Sequence, residues 1–183
     1  MIHRFSKSRA ISIWLGMICT IAFSLQGQKS VDWKPAQKGL VQYQAKPKDM
    51  LIYFYTDWCG WCRRMENESF SNKAVVDYMN RSFLCIKFNA ESMDTLVFGK
   101  HQYVNRNTSK KGAHDWVIYL LQGKVGYPAI VFINERAEVV TAVWGFRAPK
   151  ELEALLHFIK EKHYIDQPNF DEYLKTFKSS DYE

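Results

Sequence analysis

Apolar residues run unbroken from Met50 to Tyr55, and from Phe83 to Phe88 with only Lys87 among them. Runs of this length, rich in Ile, Tyr and Phe, predict strands buried on both faces. Ala129–Ile133 is a third such run. Val139–Trp144 follows it across the polar turn Asn134-Glu135-Arg136, and the two predict a hairpin. Between the strands the period lengthens. Ala36 to Ala45 predicts a short amphipathic helix carrying Leu40, Val41 and Tyr43, ended by Lys46-Pro47-Lys48. Cys59 to Asn67 predicts a second helix. Ser71 is the expected cap of a third, with Val75, Val76 and Met79 on its inner face. Ala113 to Gln122 predicts a fourth, stopped by Gly123. Pro149 opens the clearest one, where Leu152, Leu155, Leu156 and Ile159 follow the i, i+3, i+4, i+7 spacing. Phe170, Tyr173, Leu174 and Phe177 predict one more short helix in the tail. This order of elements predicts an α/β fold, a central mixed sheet with helices on both faces.

The first residues follow another pattern. Arg4, Lys7 and Arg9 precede 16 uncharged residues, Ala10 to Leu25. That run is shorter than the roughly 20 residues of a membrane helix, and it reads as a secretory signal peptide over 1–27. Cleavage after Ser24 or Gly27 satisfies the small-residue requirement. An uncleaved anchor holding the domain at a membrane is the alternative. Cys19 follows Gly16-Met17-Ile18, a poor lipoprotein signal, and reads as apolar filler. The domain is therefore expected outside the cytoplasm, in the periplasm or secreted. The same three residues inflate the formal charge of +6; without them the excess is three, too small to suggest a nucleic-acid partner. With 183 residues and four cysteines, the chain is long enough for a core and too poor in cysteine for a disulfide-stapled scaffold.

The chemistry sits at Trp58-Cys59-Gly60-Trp61-Cys62. Two cysteines three apart, after a buried strand and opening a helix, make a dithiol site. Free N–H groups and the helix dipole at the N-terminus stabilise a thiolate on Cys59. Cys62, one turn in, is expected to be shielded. Cys59 would then attack a substrate disulfide, and Cys62 would resolve the mixed disulfide. Gly60 is expected to keep the turn tight and let substrate backbone approach, with Trp58 and Trp61 as an apolar rim. A zinc site needs a second ligand pair, and His3, His101, His114, His157 and His163 form no pair with ligand spacing. A structural bridge is the other alternative, although such bridges usually close longer loops. A second mark is Gly126-Tyr127-Pro128-Ala129, immediately before a strand. If the Tyr127–Pro128 bond is cis, the Tyr127 backbone is left to pair with an extended substrate.

Tyr55-Thr56-Asp57-Trp58-Cys59-Gly60-Trp61-Cys62, Asn89-Ala90-Glu91 and Gly126-Tyr127-Pro128 together resemble the thioredoxin superfamily. The likeness is greatest to secreted bacterial thioredoxin-like proteins with a Trp-Cys-Gly-Trp-Cys site. It covers residues 33–162 and leaves 163–183 as a C-terminal extension. The resemblance implies Cys59 and Cys62 at the tip of the sheet, cis-Pro128 beside them, and Gly145 shaping a substrate groove. It implies thiol–disulfide oxidoreductase activity without a bound cofactor. With the export signal, the expected substrates are disulfide-bearing exported proteins, and the chain is expected to act as a monomer. A reductant outside the cytoplasm would be recharged by a membrane electron donor. A disulfide oxidant or isomerase, or a non-catalytic binding or chaperone module, are the alternatives.

Several residues depart from that pattern or stand beside it. Tyr53 occupies the place of a buried acid that assists the second cysteine, although Lys87 matches the lysine that accompanies it. Trp61 replaces a proline. Met93 to Gly112 is an insertion in which Val97 to His101 predicts a small hairpin. Its polar end, with Arg106, Lys110 and Lys111, reads as a solvated loop, with partner docking as the alternative. Cys85 is expected to be an inert buried thiol rather than a resolving one. Glu66 and Glu68, flanking the active-site helix, read as solvated, with a general-base pair as the alternative. Tyr53, Phe54, Tyr55, Trp144 and Phe146 read as core, the last two with a possible place in the groove.

Overall fold

The computed structural model describes residues 30–107 and 112–179. The expected signal peptide, Cys19, Lys110 and Lys111 lie outside these residues. In chain order the elements are β1 (Lys34–Pro35), α1 (Ala36–Ala45), β2 (Met50–Tyr55), α2 (Gly60–Glu68), α3 (Lys73–Ser82), β3 (Leu84–Asn89), β4 (Leu96–Phe98), β5 (His101–Tyr103), α4 (Asp115–Leu120), β6 (Ala129–Ile133), β7 (Val139–Trp144), α5 (Pro149–Lys160), α6 (His163–Asp166) and α7 (Phe170–Thr176).

Five strands form one sheet in the order β1-β3-β2-β6-β7. β2 runs parallel to β3 and antiparallel to β6, and β7 returns antiparallel at the edge. Alternation along β2 then sorts the core into two layers. Leu51 and Tyr53 face Met65, Val75, Met79, Leu152 and Leu156, so α2, α3 and α5 cover that side. Met50, Ile52 and Phe54 face Leu40, Tyr43, Trp116 and Val117, so α1 and α4 cover the other. β2 is fully buried over Met50–Phe54 because it lies mid-sheet between two helical layers. Its C-terminal end, next to that of β3, carries the loop into α2.

The elements that differ from expectation differ for local reasons. The cap of α3 is Asn72, whose side chain accepts from the Val75 N–H at 3.1 Å. Ser71 instead donates back to the Asn67 carbonyl, closing α2. Phe83 caps α3, so the next strand begins one residue later. α4 is shorter than predicted, starting after a buried His114 that accepts from the Trp116 N–H. Gly123, at φ +79°, turns the chain after it. β1 has no counterpart in the sequence reading. The insertion hairpin is present as β4 and β5, paired Leu96↔Tyr103. Asn105 holds its base, donating to the Ser92 and Gly112 carbonyls at 3.2 and 3.0 Å. In the tail, Phe170 and Tyr173 pack on Phe158 with ring centroids 5.4 and 5.2 Å away. No helix among the described residues is long and apolar enough to cross a membrane.

Candidate active site

Cys59 is the N-cap of α2. Its backbone is extended, its N–H donates to the Thr56 carbonyl at 3.1 Å, and its sulfur accepts from the Cys62 N–H at 3.1 Å. One of the N-terminal donors that a helix leaves unpaired is thus aimed at this sulfur. Cys59 and Cys62 are joined in a disulfide. Cys62 is 1% exposed and Cys59 5%, while Trp58 and Trp61 beside them are each 56% exposed. The bridge is therefore sunk between two protruding indoles. Gly60 needs no special backbone conformation, contrary to the tight-turn expectation; it is the first residue of α2. A Cβ there would meet nothing within 4 Å, so this side of the bridge is open.

Two aromatic walls flank the sulfurs. On one side, Trp58 meets Tyr127 edge-on at 6.2 Å, and its indole N–H donates to Glu91 at 2.9 Å. The Asn89-Ala90-Glu91 segment at the end of β3 thereby holds the ring. Burial, with Glu91 adding to it, pushes the Tyr127 phenol up to about 12. On the other side, Trp61 lies 5.9 Å from Phe146, and the Arg64 guanidinium sits over both rings. Arg64 is a contributor the sequence reading missed; its spacing of three from Trp61 puts it on the same helix face. Pro128 is buried, and the Tyr127–Pro128 bond is cis. The Pro128 carbonyl accepts from the Gly145 N–H at 2.8 Å, tying the start of β6 to the end of β7. Gly145 is at φ +87°, a conformation that favours glycine. Trp144, 38% exposed, donates from its indole to the Lys124 carbonyl and is not a core residue.

Below the bridge the structure corrects the reading of Glu66 as solvated. Lys87 reaches it from β3 at 2.8 Å, and the Tyr53 hydroxyl donates to it at 3.3 Å. The same hydroxyl lies 3.3 Å from the Cys62 carbonyl oxygen. Burial first, and the Glu66 carboxylate next, hold the Tyr53 phenol far above its ordinary value. Glu68 pairs with Arg64 at the surface. Cys85 is 2% exposed, and burial pushes its thiol up to about 12. No group of His, Cys, Asp or Glu among the described residues could hold a metal ion.

A model of the thioredoxin-like domain matches residues 36–160. Among solved structures, a thioredoxin-fold protein from Helicobacter pylori is similar with a TM-score of 0.55 and 20% identity, over 70% of this chain and 83% of that one. A thioredoxin from Thermus thermophilus has a TM-score of 0.53 and 19% identity, over 72% and 88%. A putative disulphide-isomerase from Bacteroides thetaiotaomicron has a TM-score of 0.50 and 22% identity, over 70% and 92%. At these identities the likeness is one of fold. Spermatogenesis-associated protein 20 of Mus musculus is 31% identical over 62 residues, 33% of this chain. The match spans only 8% of that relative. The match over most of the folded chain, the shared fold and the Cys59–Cys62 bridge at a helix N-terminus together place this chain in the thioredoxin-like domain family.

Proposed function

We propose that this chain is a thiol–disulfide oxidoreductase that works outside the cytoplasm and reduces disulfides in exported proteins. The observation that carries it is the Cys59–Cys62 bridge, with the Cys62 N–H directed at the Cys59 sulfur. In the reduced protein that N–H and the helix dipole stabilise a Cys59 thiolate. The thiolate attacks one sulfur of a substrate disulfide, and the first substrate thiolate leaves. Cys62 then attacks the Cys59 sulfur, and the second leaves. Two electrons pass to the substrate and the bridge of this structure re-forms, so no bound cofactor is needed. Trp58, Gly60, Trp61, Tyr127, Pro128 and Gly145 are the proposed groove, suited to an extended polypeptide with apolar residues beside its cysteine. An electron donor at the membrane is the proposed partner that restores the dithiol.

The test is reduction of a protein disulfide such as that of insulin. Cys59→Ser is expected to abolish it, and full activity in that variant would refute the proposal. The reduction potential decides direction. A value near about −270 mV supports the reductant, and one near about −120 mV supports the oxidant instead. Location is tested by expressing the full chain and sequencing the N-terminus of the exported product.

A further inference from the structure

We infer that the free edge of β7 is a docking strand, along which a stretch of the substrate polypeptide beside its disulfide lies extended and adds a strand to the sheet. This rests on the dithiol exchange proposed above and names where the chain of its substrate runs.

Among the described residues β7 is the last strand of the sheet, so one row of its backbone groups has no ladder to join. The register identifies that row. The Gly145 N–H donates to the Pro128 carbonyl, and bonded pairs alternate along an antiparallel ladder. Ile130 with Val143, and Phe132 with Thr141, are then the bonded pairs, so Ala142 and Trp144 turn their backbone groups outward. The Trp144 carbonyl accepts from Arg147 at 3.3 Å. The Trp144 N–H and both backbone groups of Ala142 are open to a new strand. Natural sheets blunt such an edge with charge or proline. Val139-Val140-Thr141-Ala142-Val143-Trp144 carries neither. Its one irregularity, where Ile133 pairs with Val139 and leaves Val140 over, lies at the end far from the dithiol.

A cleft of about 520 Å³ lies along this strand, within the size range of sites that hold a ligand. β7 lines it from Val140 to Trp144, α5 adds Leu155 and Phe158, and the C-terminal extension adds Tyr164, Pro168 and Phe170. The extension lies beyond residues 36–160, which match the thioredoxin-like domain, so it is an addition to that domain. Phe170 is braced on Phe158 with ring centroids 5.4 Å apart. Side chains alternate along a strand, so a segment paired to β7 turns every second residue toward these apolar groups. The fitting partner is therefore an extended stretch with apolar residues at alternate positions. Continuity with the dithiol makes that stretch part of the substrate. The cleft is lined by Trp144 and Arg147. Between them in sequence, Gly145 is bonded to Pro128 and Phe146 lies 5.9 Å from Trp61. A chain that leaves the groove over Gly145 meets the open groups of β7 next. At about 3.3 Å per residue, Ala142 is about 10 Å along the strand from Gly145. A substrate arm of two residues spans at most about 7 Å and cannot reach it, whereas one of eight spans about 26 Å.

The test uses full-chain Cys62→Ser, in which the mixed disulfide accumulates. Its probes are synthetic peptides with one cysteine carried as a thionitrobenzoate disulfide. One peptide has arms of two residues; two others carry an arm of about eight alternating Val and Thr residues, before or after the cysteine. The Cys59 thiolate bonds to the peptide sulfur, the peptide–thionitrobenzoate bond breaks, and the coloured thionitrobenzoate anion leaves with the electron pair. Hydrogen exchange is then read at β7. With a long arm on one side or the other, the Ala142 and Trp144 amides are expected to exchange at least about tenfold more slowly, and with the short peptide to stay as in the free protein. The long arm is also expected to speed thionitrobenzoate release. Ala142→Pro, placed where the N–H faces outward and no ladder bond is lost, is expected to cancel that gain and to keep the short-peptide rate within about twofold. If this variant fails to fold, the exchange measurement on the Ala142 protein decides alone. A mixed disulfide that leaves β7 unprotected with both long arms would overturn the inference and leave the dithiol mechanism standing. Protection that grows with protein concentration in the absence of peptide would assign the edge to a second copy and overturn it as well. Failure of every peptide to form the mixed disulfide would remove both.

Discussion

Reduction of the Cys59–Cys62 bridge exposes two thiols one helical turn apart, and their reactivities can be ranked from the structure. Cys59 sits at the N-cap with the Cys62 N–H pointing to its sulfur at 3.1 Å. A charge-assisted hydrogen bond is worth about 1.5–3 kcal/mol. The helix N-terminus adds about 0.3–1 kcal/mol. Together they favour the thiolate on Cys59 over Cys62 by about 2–4 kcal/mol. At about 1.4 kcal/mol per tenfold, the thiolate populations differ by about 1.5–3 powers of ten. A more stable thiolate is also a weaker nucleophile, with a Brønsted slope of about 0.4–0.5, so about half of that advantage is lost. The remaining preference for Cys59 is about 5- to 30-fold in rate. Exposure works in the same direction, 5% against 1%.

The assay is brief alkylation of the reduced protein with iodoacetamide at mildly acid pH, followed by fragmentation of the tryptic peptide that holds both cysteines. Cys85 is the internal reference. It is buried with its thiol pushed up to about 12, so it is expected to stay unlabelled until the protein unfolds. Equal labelling of Cys59 and Cys62, or preference for Cys62, would refute the reasoning and reverse the two roles.

Three further outcomes follow from the packing. Gly39→Ala adds helix propensity worth up to about 1 kcal/mol, but the new Cβ would lie 2.6 Å from the Ile86 side chain, which is fully buried. Overpacking costs about 1–3 kcal/mol, so a net loss of about 1 kcal/mol is expected in urea denaturation, and a raised midpoint would contradict it. Asn105→Ala removes the donor held by the Ser92 and Gly112 carbonyls. Faster hydrogen exchange across the insertion, with the sheet unchanged, is expected, and uniform loss of protection would show that the insertion is part of the global unit. Asp49 is pushed up by desolvation but pulled lower still by Lys160, Glu135 and Lys162, for a net fall below its ordinary value. Its contribution to stability is thus complete above the ordinary carboxylate range and is lost as pH falls below that range through the lowered value. The stability gap between the parent and Asp49→Asn is expected to be constant above about pH 5 and to close in stronger acid. A gap independent of pH would rule this out.

The central strands were legible because burial on both faces makes continuous apolar runs; β6 and β7 begin and end, and α5 begins, where the pattern predicts. The dithiol was legible because its spacing and its place before a helix carry the chemistry. β1 was not, since two residues that include a proline pair only because β3 lies beside them. The cap of α3 was misplaced by one residue because Ser71 and Asn72 are both good caps, and only the direction of the chain leaving α2 decides between them. Glu66 looked solvated for a deeper reason. Its partners Tyr53 and Lys87 belong to two different strands, and neither lies near it in sequence except through the fold.

That dependence makes strand register part of the site. Tyr53 lies opposite Lys87 in the β2–β3 ladder. Because side chains alternate, a slip of one residue would turn Lys87 to the face of α1 and α4 and place an apolar neighbour under Cys62. The flanking pairs oppose such a slip. Ile52 opposite Ile86 and Phe54 opposite Phe88 all face the other layer, and all four are buried. The apolar core on one side of the sheet thus places the charged pair on the other. The ladder also bears on the third cysteine. Cys85 shares a face with Lys87 but lies opposite Leu51, two residues farther from the bridge, or about 6–7 Å along the strand. Its S–H lies 3.8 Å from the Met79 carbonyl. The register that brings Lys87 to Glu66 thus sets this buried thiol one same-face position back along β3.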